Sequence, residues 1–407
     1  MRPPLLFLSH RIPYPPDKGD KIRSYHIFDY LAQRYRIFLG TFIDDPIDWE
    51  RAEALQARCA GHCIRPLDGR LARLRSLRGL LTGEPLTLPY YRDRILAQWV
   101  AETVAREGIG HAMVYSSGVA QFIDGPRFRH LVRVVDLVDV DSDKWRQYAR
   151  RTHGPARWIY AREARRLLEV ERGLAARFDA TLLVSEAEAD LLRRLAPEVA
   201  DRIHGLSNGV DLDAYDPTRS WENPYQGPGP HLVFTGAMDY RPNIDAVTWF
   251  ADEVLPEVRR RHPGAWFHIV GSRPAEAVQA LAGRPGIQVT GRVPEVQPWL
   301  AHADAVVAPM RIARGIQNKV LEGMAMARPV VVTAMGLEGI DAVPGEEVLV
   351  ADDAATQIQL LDDLLARRID GRALGAAARR RVERSYAWSS TLPLLDRWFD
   401  GRGREGA

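Results

Sequence analysis

The 407-residue chain has little cysteine and no long apolar run. Its two cysteines, Cys59 and Cys63, are one helical turn apart, and no second Cys/His pair with zinc-ligand spacing follows them. We interpret them as two reduced intracellular thiols. No apolar run approaches the ~18 residues needed to span a bilayer. The start of the chain is too proline-rich for a signal peptide. These absences predict a cytoplasmic protein and leave peripheral contact with the inner face of the cell membrane open.

The chain also lacks a strong net charge and the common nucleotide-binding motifs. Its formal net charge of +2 gives no global field that favours nucleic acid as a partner. It contains no phosphate-cradling P-loop, and no G-x-G-x-x-G follows the first apolar run. The stretch GLSNG at 205–209 fits the G-x-S-x-G nucleophile elbow, which requires a helix immediately after the serine turn. Because VDLDAYDP follows and is a poor helix former, we reject a serine hydrolase.

Short apolar runs separated by helical patterns fill the first half. Runs of this length between helices are typical of a parallel sheet covered on both faces. Two longer periodic stretches predict helices at about 20–34 and 155–178. The strands are predicted at 5–9, 36–42, 64–67, 112–115, 131–136, 180–184 and 203–206.

The composition then changes and the strand pattern restarts. Residues 214–230 hold four prolines and two glycines, which is typical of a linker. Three following runs, HLVFTG, WFHIVG and IQVTG, each stop at a glycine, and DAVVAP and RPVVVTAMG come after them. Glycines just past parallel strands leave room for a ligand at the carboxyl edge of the sheet. The three glycines are Gly236, Gly271 and Gly291.

These patterns predict an α/β protein with two doubly wound, Rossmann-like domains that face a central cleft. The first domain is expected at 1–213 and the second at 231–385, joined by the linker 214–230. The segment 386–407 contains an amphipathic, aromatic stretch. It is expected either to cap the second domain or to cross back to the first.

One segment of the second domain carries an unusual charge pattern. Gly315 ends a loop, a helix is predicted to begin at residue 316 or 317, and Arg311, Arg314 and Lys319 surround that start. Cations are unfavourable beside the positive end of a helix dipole, whereas a bound phosphate or diphosphate makes them favourable. Glu322 lies on the same helix face as Lys319, where ribose or sugar hydroxyls would satisfy it. The alternative is a surface Lys–Glu pair worth ~0.3 kcal/mol. The glycine-ended strands favour a nucleotide-sugar site.

The motifs of the second half resemble those of the retaining glycosyltransferases of family 4, which have the GT-B fold. The similar stretches are SNGVDLDAYDP, TGAMDYRPNIDAVTWF, HIVGSRP, VTGRVPEVQPWLAHADAVVAP and RGIQNKVLEGMAMARPVV. The first half, with LSHRIPYPPDKGDKIRSYHIFDYLAQRYRI and VVDLVDVDSDKW, resembles the sugar transferases associated with PEP-CTERM/exosortase exopolysaccharide systems.

The resemblance implies roles for particular residues. Family 4 carries an E-x7-E pattern whose second Glu holds the donor ribose, and Glu322 matches it. The position of the first Glu is occupied by Arg314, which departs from the pattern. Arg311 and Lys319 resemble the cations that hold the donor diphosphate. We therefore predict Glu322, Lys319 and Arg311 as catalytic. Donor-binding residues are predicted at Gly236, Arg241, Gly271, Arg314 and Gly315.

The resemblance also implies transfer of a sugar from a nucleoside diphosphate sugar to a polysaccharide or lipid-linked acceptor. The anomeric configuration would be retained, and neither a metal nor another cofactor would be needed. Two alternatives stay open: a nucleotide-sugar epimerase on the same scaffold, and a non-catalytic nucleotide-sugar-binding protein. Acceptor-binding residues are predicted in the first half at His10, Gly19, Asp20, Lys21, Arg23, Asp139, Asp141 and Lys144. Helix capping and turn formation are the alternative for the two later aspartates.

An arginine-rich stretch at 69–81 is the remaining feature. It contains four arginines and no acidic residue, with Leu71, Leu74 and Leu77 on one side. Two interpretations are open. The leucines pack on the sheet as part of an ordinary surface helix, or the helix lies on an anionic membrane surface.

Overall fold

The structure, a computed structural model, describes residues 2–16, 19–313 and 315–399, and for residues 19 and 20 it describes the backbone alone. The chain divides into two compact units. One contains Met1–Ser207 together with the segment from Leu392, and the other is Asn208–Thr391. The predicted linker 214–230 therefore falls inside the second unit, and the stretch after Leu392 is grouped with the first. Within the described residues, no helix is both long and apolar enough to cross a membrane.

The first unit is built on a parallel sheet of seven strands. The strand order is 3-2-1-4-5-6-7, and β1 pairs with β2 on one side and with β4 on the other. Each predicted strand forms, with ends that differ by up to three residues. The strands are β1 (Pro4–Ser9), β2 (Arg36–Ile43), β3 (Gly61–Pro66), β4 (His111–Tyr115), β5 (Val132–Val138), β6 (Ala180–Leu183) and β7 (Ile203–Gly205).

Helices cover both faces of this sheet. The two predicted helices form, and both end slightly earlier than expected. The helices are α1 (Gly19–Ala32), α2 (Trp49–Gln56), α3 (Gly69–Ser76), α4 (Arg78–Thr82), α5 (Thr87–Tyr90), α6 (Arg94–Glu107), α7 (Ser117–Ala120), α8 (Asp141–Arg151), α9 (Pro155–Arg177) and α10 (Glu186–Leu195). Short 3-10 turns lie at Pro46–Asp48, Pro126–Phe128 and Pro197–Arg202.

The second unit repeats the same topology with six parallel strands in the order 10-9-8-11-12-13. The five predicted strands are present, and the sixth, of only two residues, carries too short an apolar run to be recognised. The strands are β8 (His231–Thr235), β9 (Trp266–Val270), β10 (Ile287–Gly291), β11 (Ala305–Ala308), β12 (Val330–Val332) and β13 (Leu349–Val350).

The helices of the second unit are mostly short. A π-helical segment, Phe250–Val254, joins the first two of them, and a 3-10 turn lies at Ala280–Gly283. They are α11 (Arg241–Trp249), α12 (Leu255–Arg261), α13 (Glu276–Gln279), α14 (Gln297–Ala301), α15 (Asn318–Ala325), α16 (Ala334–Leu337), α17 (Ala354–Leu365), α18 (Gly371–Ser385) and α19 (Trp388–Thr391). After a 3-10 turn, Leu392–Leu395, the described chain ends in α20 (Asp396–Phe399), which is grouped with the first unit.

The central strands are apolar at every position because both of their faces are buried. In β8, Leu232 and Phe234 join the core on one face, whereas Val233 joins the core on the other. In β11, Val306 and Val307 divide in the same way. This explains the continuous apolar runs of the sequence, which alternating strands of a one-sided sheet would not show.

The amphipathic C-terminal stretch contributes to the core of the first unit. The Asp396 carboxylate accepts a 2.7 Å hydrogen bond from the Tyr30 hydroxyl on α1. The Phe399 ring lies against Tyr35 and His111, with ring centroids 6.0 and 6.1 Å apart.

Two of the strand-ending glycines lie in close contacts, one with a backbone atom and one with a side chain. A side-chain Cβ at Gly271 would lie 1.6 Å from the carbonyl oxygen of Gly236. A Cβ at Gly236 would lie 2.7 Å from the Asn243 amide nitrogen. The ends of β8 and β9 are therefore held together by contacts that only glycine permits.

We expect Gly271→Ala to lower the free energy of unfolding by at least about 2 kcal/mol, because the new methyl group meets a backbone atom that no rotamer change can move. Chemical denaturation followed by circular dichroism measures it. Gly283→Ala is the matched control, because a Cβ there meets nothing within 4 Å. Equal stability of the two variants would contradict the close approach.

Candidate functional site

The most distinctive side chains of the second unit lie where the strand order reverses. From β8 the chain proceeds through α11 to β9 on one side, and from β11 it proceeds through α15 to β12 on the other. The carboxyl ends of β8 and β11 are therefore neighbours from which connections diverge. In open α/β sheets this is the place where ligands bind.

Lys319 is the second residue of α15 and is largely buried. The helix begins at Asn318, one or two residues later than predicted, because Gln317 has an extended backbone and occupies the N-cap position without a side-chain cap hydrogen bond. Lys319 Nζ donates to Gln317 Oε1 over 3.2 Å and lies 5.2 Å from the centre of the Phe234 ring. Burial lowers the pKa of Lys319 to about 8, although the nearby Glu322 carboxylate opposes that shift.

Glu322 lies one turn further along α15 and is only partly exposed. The Tyr215 hydroxyl donates a hydrogen bond to its carboxylate, and Thr235 Oγ1 approaches Glu322 Oε2 at 3.5 Å. Burial raises the pKa of Glu322, against the opposing effects of Lys319 and the two hydroxyls. Burial and the Glu322 charge together raise the pKa of Tyr215 well above its usual value, so its hydroxyl remains a hydrogen-bond donor.

This geometry disagrees with the surface-pair alternative for Lys319 and Glu322. A solvated i,i+3 pair would leave both pKa values near their ordinary range, whereas burial moves each toward its neutral form. Chemically, an ammonium beside uncapped helix amides suits an anion, and a partly exposed carboxyl group suits hydroxyl donors.

Arg311 is held differently. It follows β11, is exposed, and makes a two-pronged ion pair with Asp245 of α11, with nitrogen–oxygen distances of 3.0 and 2.6 Å. Its guanidinium also lies 5.6 Å from the centre of the Trp249 ring. Asp245 was not among the predicted residues. An anion that binds Arg311 must therefore share it with a carboxylate or displace that carboxylate.

The predicted donor-binding residues are distributed over several loops of the second unit. Gly236 follows β8 directly, and Gly271 follows β9 directly. Arg241 is exposed at the first position of α11, and Gly315 has a positive φ of 64° in the loop before α15. Arg314 lies outside the described residues.

Sequence reasoning missed three contributors to this cluster. Tyr215 lies in the predicted linker, and Thr235 and Phe234 appear only as part of the apolar run HLVFTG. Tyr215 belongs to the stretch SNGVDLDAYDP and Thr235 to HLVFTG, both of which were noted as motifs without a role for these side chains. The polar residue before a strand-ending glycine was the available signal for Thr235.

In the first unit, His10 lies in an aromatic cluster at the carboxyl ends of β1 and β4. Its ring stacks on Tyr115 at 5.8 Å with an interplanar angle of 9°, and the Tyr91 ring lies 5.9 Å away in a T-shaped contact. His10 is thus at the carboxyl edge of the sheet, as expected from its position after the first strand.

Lys21 and Arg23, both predicted to bind an acceptor, are buried in ion pairs. Lys21 Nζ lies 2.6 Å from Asp48, and Arg23 Nε lies 2.8 Å from Asp136. Arg23 also donates to the Leu206 carbonyl over 2.7 Å. Each cation is 1% exposed. The Arg23 contacts hold α1 against β5 and the segment after β7, and the Lys21 contact holds α1 against the turn Pro46–Asp48. Gly19 is the first residue of α1, and the side chain of Asp20 lies outside the described part.

Asp139, Asp141 and Lys144 follow β5 as predicted. Asp141 and Lys144 form a long pair of 3.9 Å on the half-exposed first turn of α8. At the start of α8, the amides of Val140 and Ser142 donate to the carboxylates of Glu188 and Glu171.

Backbone strain marks the same edge of the first sheet. Val138, the last residue of β5, has a φ of 68°, which is costly for a β-branched residue. Its amide donates to Asp136 Oδ1 over 2.9 Å. Strain of this kind persists where the surrounding structure imposes it, and it often accompanies a functional loop.

Comparison with known proteins agrees with this architecture. Residues 229–367 match the family model described as "Glycosyl transferases group 1". The sequence matches no curated protein at a significant level.

Several solved structures share the fold over nearly the whole chain. A glycosyltransferase from Rickettsia africae is 13% identical with a TM-score of 0.68, over 98% of this chain and 99% of that one. A sucrose-phosphate synthase from Thermosynechococcus elongatus is 16% identical with a TM-score of 0.70, over 99% of both chains. Anabaena HepE in complex with UDP is 12% identical with a TM-score of 0.66, over 98% and 99%. The predicted fold class is thereby confirmed: the chain has the GT-B fold, and its second unit carries the sequence pattern of group 1 glycosyl transferases.

Proposed function

We propose that the protein is a glycosyltransferase that moves a sugar from a nucleoside diphosphate sugar to a hydroxyl group of an acceptor. The observation that carries this proposal is the buried Lys319–Glu322 cluster at the point where the strand order of the second unit reverses. The match of 229–367 to group 1 glycosyl transferases supports it. HepE has been solved with UDP and with UDP-glucose, so uridine diphosphate sugars are the first donors to test.

Lys319 would hold the donor diphosphate and stabilise the leaving group. As the bond between the anomeric carbon and the diphosphate oxygen breaks, negative charge grows on that oxygen. An ammonium already withdrawn from water interacts with this charge more strongly than a solvated one does. The backbone amides at the start of α15, which have no side-chain cap from Gln317, also favour an anionic ligand.

Glu322 would hold ribose hydroxyls of the donor. Its carboxylate already accepts from one hydroxyl, that of Tyr215, and Thr235 lies at the edge of hydrogen-bonding distance. Hydroxyls of a sugar are ligands of the same type. With Arg314 in place of the first Glu of the family pattern, hydroxyls of the transferred sugar would be recognised by other groups.

Three finer features of the proposal derive from the family resemblances of the sequence. The reaction would retain the anomeric configuration, with the acceptor oxygen bonding to the anomeric carbon on the face from which the diphosphate departs. The acceptor proton would pass to the departing phosphate oxygen, so that neither a metal nor a protein base takes part. The resemblance of the first half to PEP-CTERM-associated sugar transferases adds that the acceptor would be a polysaccharide or a lipid-linked acceptor of exopolysaccharide synthesis. Its binding residues stay predicted at His10, Gly19, Asp20, Lys21, Arg23, Asp139, Asp141 and Lys144.

We expect Lys319→Ala to weaken the binding of UDP more than Arg311→Ala does. Arg311 must exchange a carboxylate partner for the diphosphate, whereas Lys319 donates only to a neutral amide oxygen. Losses of about 100-fold and about tenfold are expected, by analogy with other charge-assisted contacts. Isothermal titration calorimetry measures them, with the exposed Arg372→Ala as a control. If no nucleoside diphosphate binds the natural protein, the proposed function fails.

Glu322→Gln should lower the turnover of a bound donor by at least about tenfold, because the amide loses the charged hydrogen bonds to ribose. Release of nucleoside diphosphate with and without hydroxyl acceptors measures turnover, and mass spectrometry identifies the products. Unchanged turnover in the variant would contradict the role of Glu322. Appearance of an epimeric donor without any acceptor would identify an epimerase instead.

The affinity for UDP should fall as the pH rises through about 8. In the free protein the pKa of Lys319 is lowered to about 8 by burial, and a bound diphosphate would raise it again. Binding therefore takes up a proton above that pH, and the dissociation constant should increase by up to about tenfold per pH unit. Lys319→Arg, which stays charged, should remove this dependence. A flat profile in the natural protein would contradict the proposal.

The buried pair should also cost stability. We expect the double variant Lys319→Met/Glu322→Gln to have a free energy of unfolding about 1–4 kcal/mol higher than that of the natural protein at pH 7. The reason is that the variant removes two desolvated charges. The contribution of Lys319 to this difference should decrease from pH 8 and vanish near pH 10.5. Between these values the ammonium has lost its proton in the folded protein but still keeps it in the unfolded chain. Urea denaturation across this range measures it. A double variant that is less stable than the natural protein at pH 7 would contradict the expectation that the buried pair lowers the free energy of unfolding.

A further inference from the structure

The segment 69–82 carries its leucines on the outside. In α3 and α4 the residues facing the protein are small, Ala72, Ser76 and Gly79, at i, i+4 and i+7. The four leucines at 71, 74, 77 and 81 are 63%, 65%, 52% and 90% exposed. The expectation that these leucines pack on the sheet is therefore wrong. We call this outward surface the leucine face.

The inward side cannot accommodate larger residues, and this is why the leucines point away. A Cβ at Gly79 would lie 2.9 Å from the Glu84 carbonyl oxygen and 3.3 Å from that of Pro85. The side chain of Arg162 on α9 donates to the Gly79 and Glu84 carbonyls and fixes this turn from below. The contacts of Gly79 and Arg162 thus determine which side of the segment faces the protein.

The charge around the leucine face has one sign. Arg70, Arg73 and Arg78 are exposed beside the leucines, and 69–83 contains no acidic residue. The acids at either end are engaged elsewhere. Asp68 accepts from the amides of Arg70 and Leu71, and Glu84 pairs with Arg92 at 2.8 Å.

Helix α9, whose Arg162 contacts this segment, also carries an exposed tryptophan. Trp158 lies one helical turn before Arg162, on the same side of α9, and is 64% exposed. Arg157 and Arg165 are exposed on the same helix. An exposed tryptophan among arginines is typical of the water–lipid interface, where its ring lies at the level of the headgroups.

We propose that the leucine face, with Trp158 beside it, docks the protein onto an anionic lipid bilayer, with α3 and α4 lying in the plane of the headgroups. Leucines at 74, 77 and 81 enter the acyl boundary, and the arginines flanking them contact lipid phosphates. Two features favour lipid over other partners. A nucleic acid would use the arginines and leave the leucines in water, and the like charges on two copies of this face would oppose each other.

This inference is independent of sugar transfer, because it rests only on the first unit. Flotation of the full chain with vesicles measures it directly. We expect binding to phosphatidylcholine vesicles that contain phosphatidylglycerol, weak binding to pure phosphatidylcholine, and a decrease with added salt. Binding of UDP should be unaffected by the variants below, so a failure here would be distinguishable from a failure of the proposed function.

Two sets of variants separate the apolar and the charged contributions. Leu74→Ser, Leu77→Ser and Leu81→Ser should each reduce partitioning by about tenfold, because each side chain leaves water on insertion. Arg70→Gln and Arg73→Gln should each reduce it by about fivefold on anionic vesicles only. Since all five side chains are exposed, the variants should keep the stability of the natural protein.

Matched controls lie elsewhere on the chain. Arg372→Gln with Arg380→Gln removes the same charge from exposed positions of α18, and Ile47→Ser with Val343→Ser removes exposed apolar side chains. Neither control should change partitioning. No binding to anionic vesicles, or binding that the leucine variants leave unchanged, would overturn the proposal. Loss of a dimer in the leucine variants without any vesicle binding would show that a second copy occupies this face.

Discussion

Desolvation of an ammonium and a carboxyl group at the start of α15 is the constraint on which the second unit depends. Two apolar strands, β8 and β11, end at the same edge, and Lys319 lies against the Phe234 ring. Burial then pushes both pKa values toward neutrality. Such a site costs folding free energy when it is empty, and it becomes favourable when an anion with hydroxyl groups binds. A local arrangement that is unfavourable for folding therefore indicates a functional site.

The four cations Lys21, Arg23, Arg311 and Lys319 differ in their partners. In the first unit, Lys21 and Arg23 are buried against Asp48 and Asp136, so their charge is already compensated inside the protein. In the second unit, Arg311 is compensated by Asp245 at the surface. Lys319 is buried, yet it donates to an amide oxygen rather than forming a tight ion pair. An incoming diphosphate gains most from the cation whose desolvation is least compensated.

The sequence predicts some of these features and not others. The fold class could be predicted from the apolar runs and the glycines. A strand that is buried on both faces requires apolar residues at every position, and a close approach of two backbones requires glycine. The pair Lys319 and Glu322 followed from an electrostatic conflict within one helix turn. By contrast, Asp245 and Asp48 were missed, since nothing local predicts which carboxylate a distant segment will bring to an arginine or lysine. Tyr215 was missed for the same reason, although its motif was noted.

The leucines at 69–82 show a different limit. Helical periodicity revealed the stripe, but it does not say which side of a helix faces the protein. Hydrophobicity predicts that leucines face inward. The space between the helix and the protein, however, determines which side of this helix faces inward. Carbonyl oxygens of 84 and 85 approach so closely that only the glycine at 79 fits, and the small residues at 72 and 76 complete that side. Backbone approach therefore overrode the hydrophobic pattern. Leucines that cannot turn inward stay exposed to water, which is unfavourable unless an apolar phase covers them. The arginines around them favour an apolar phase with a negatively charged surface.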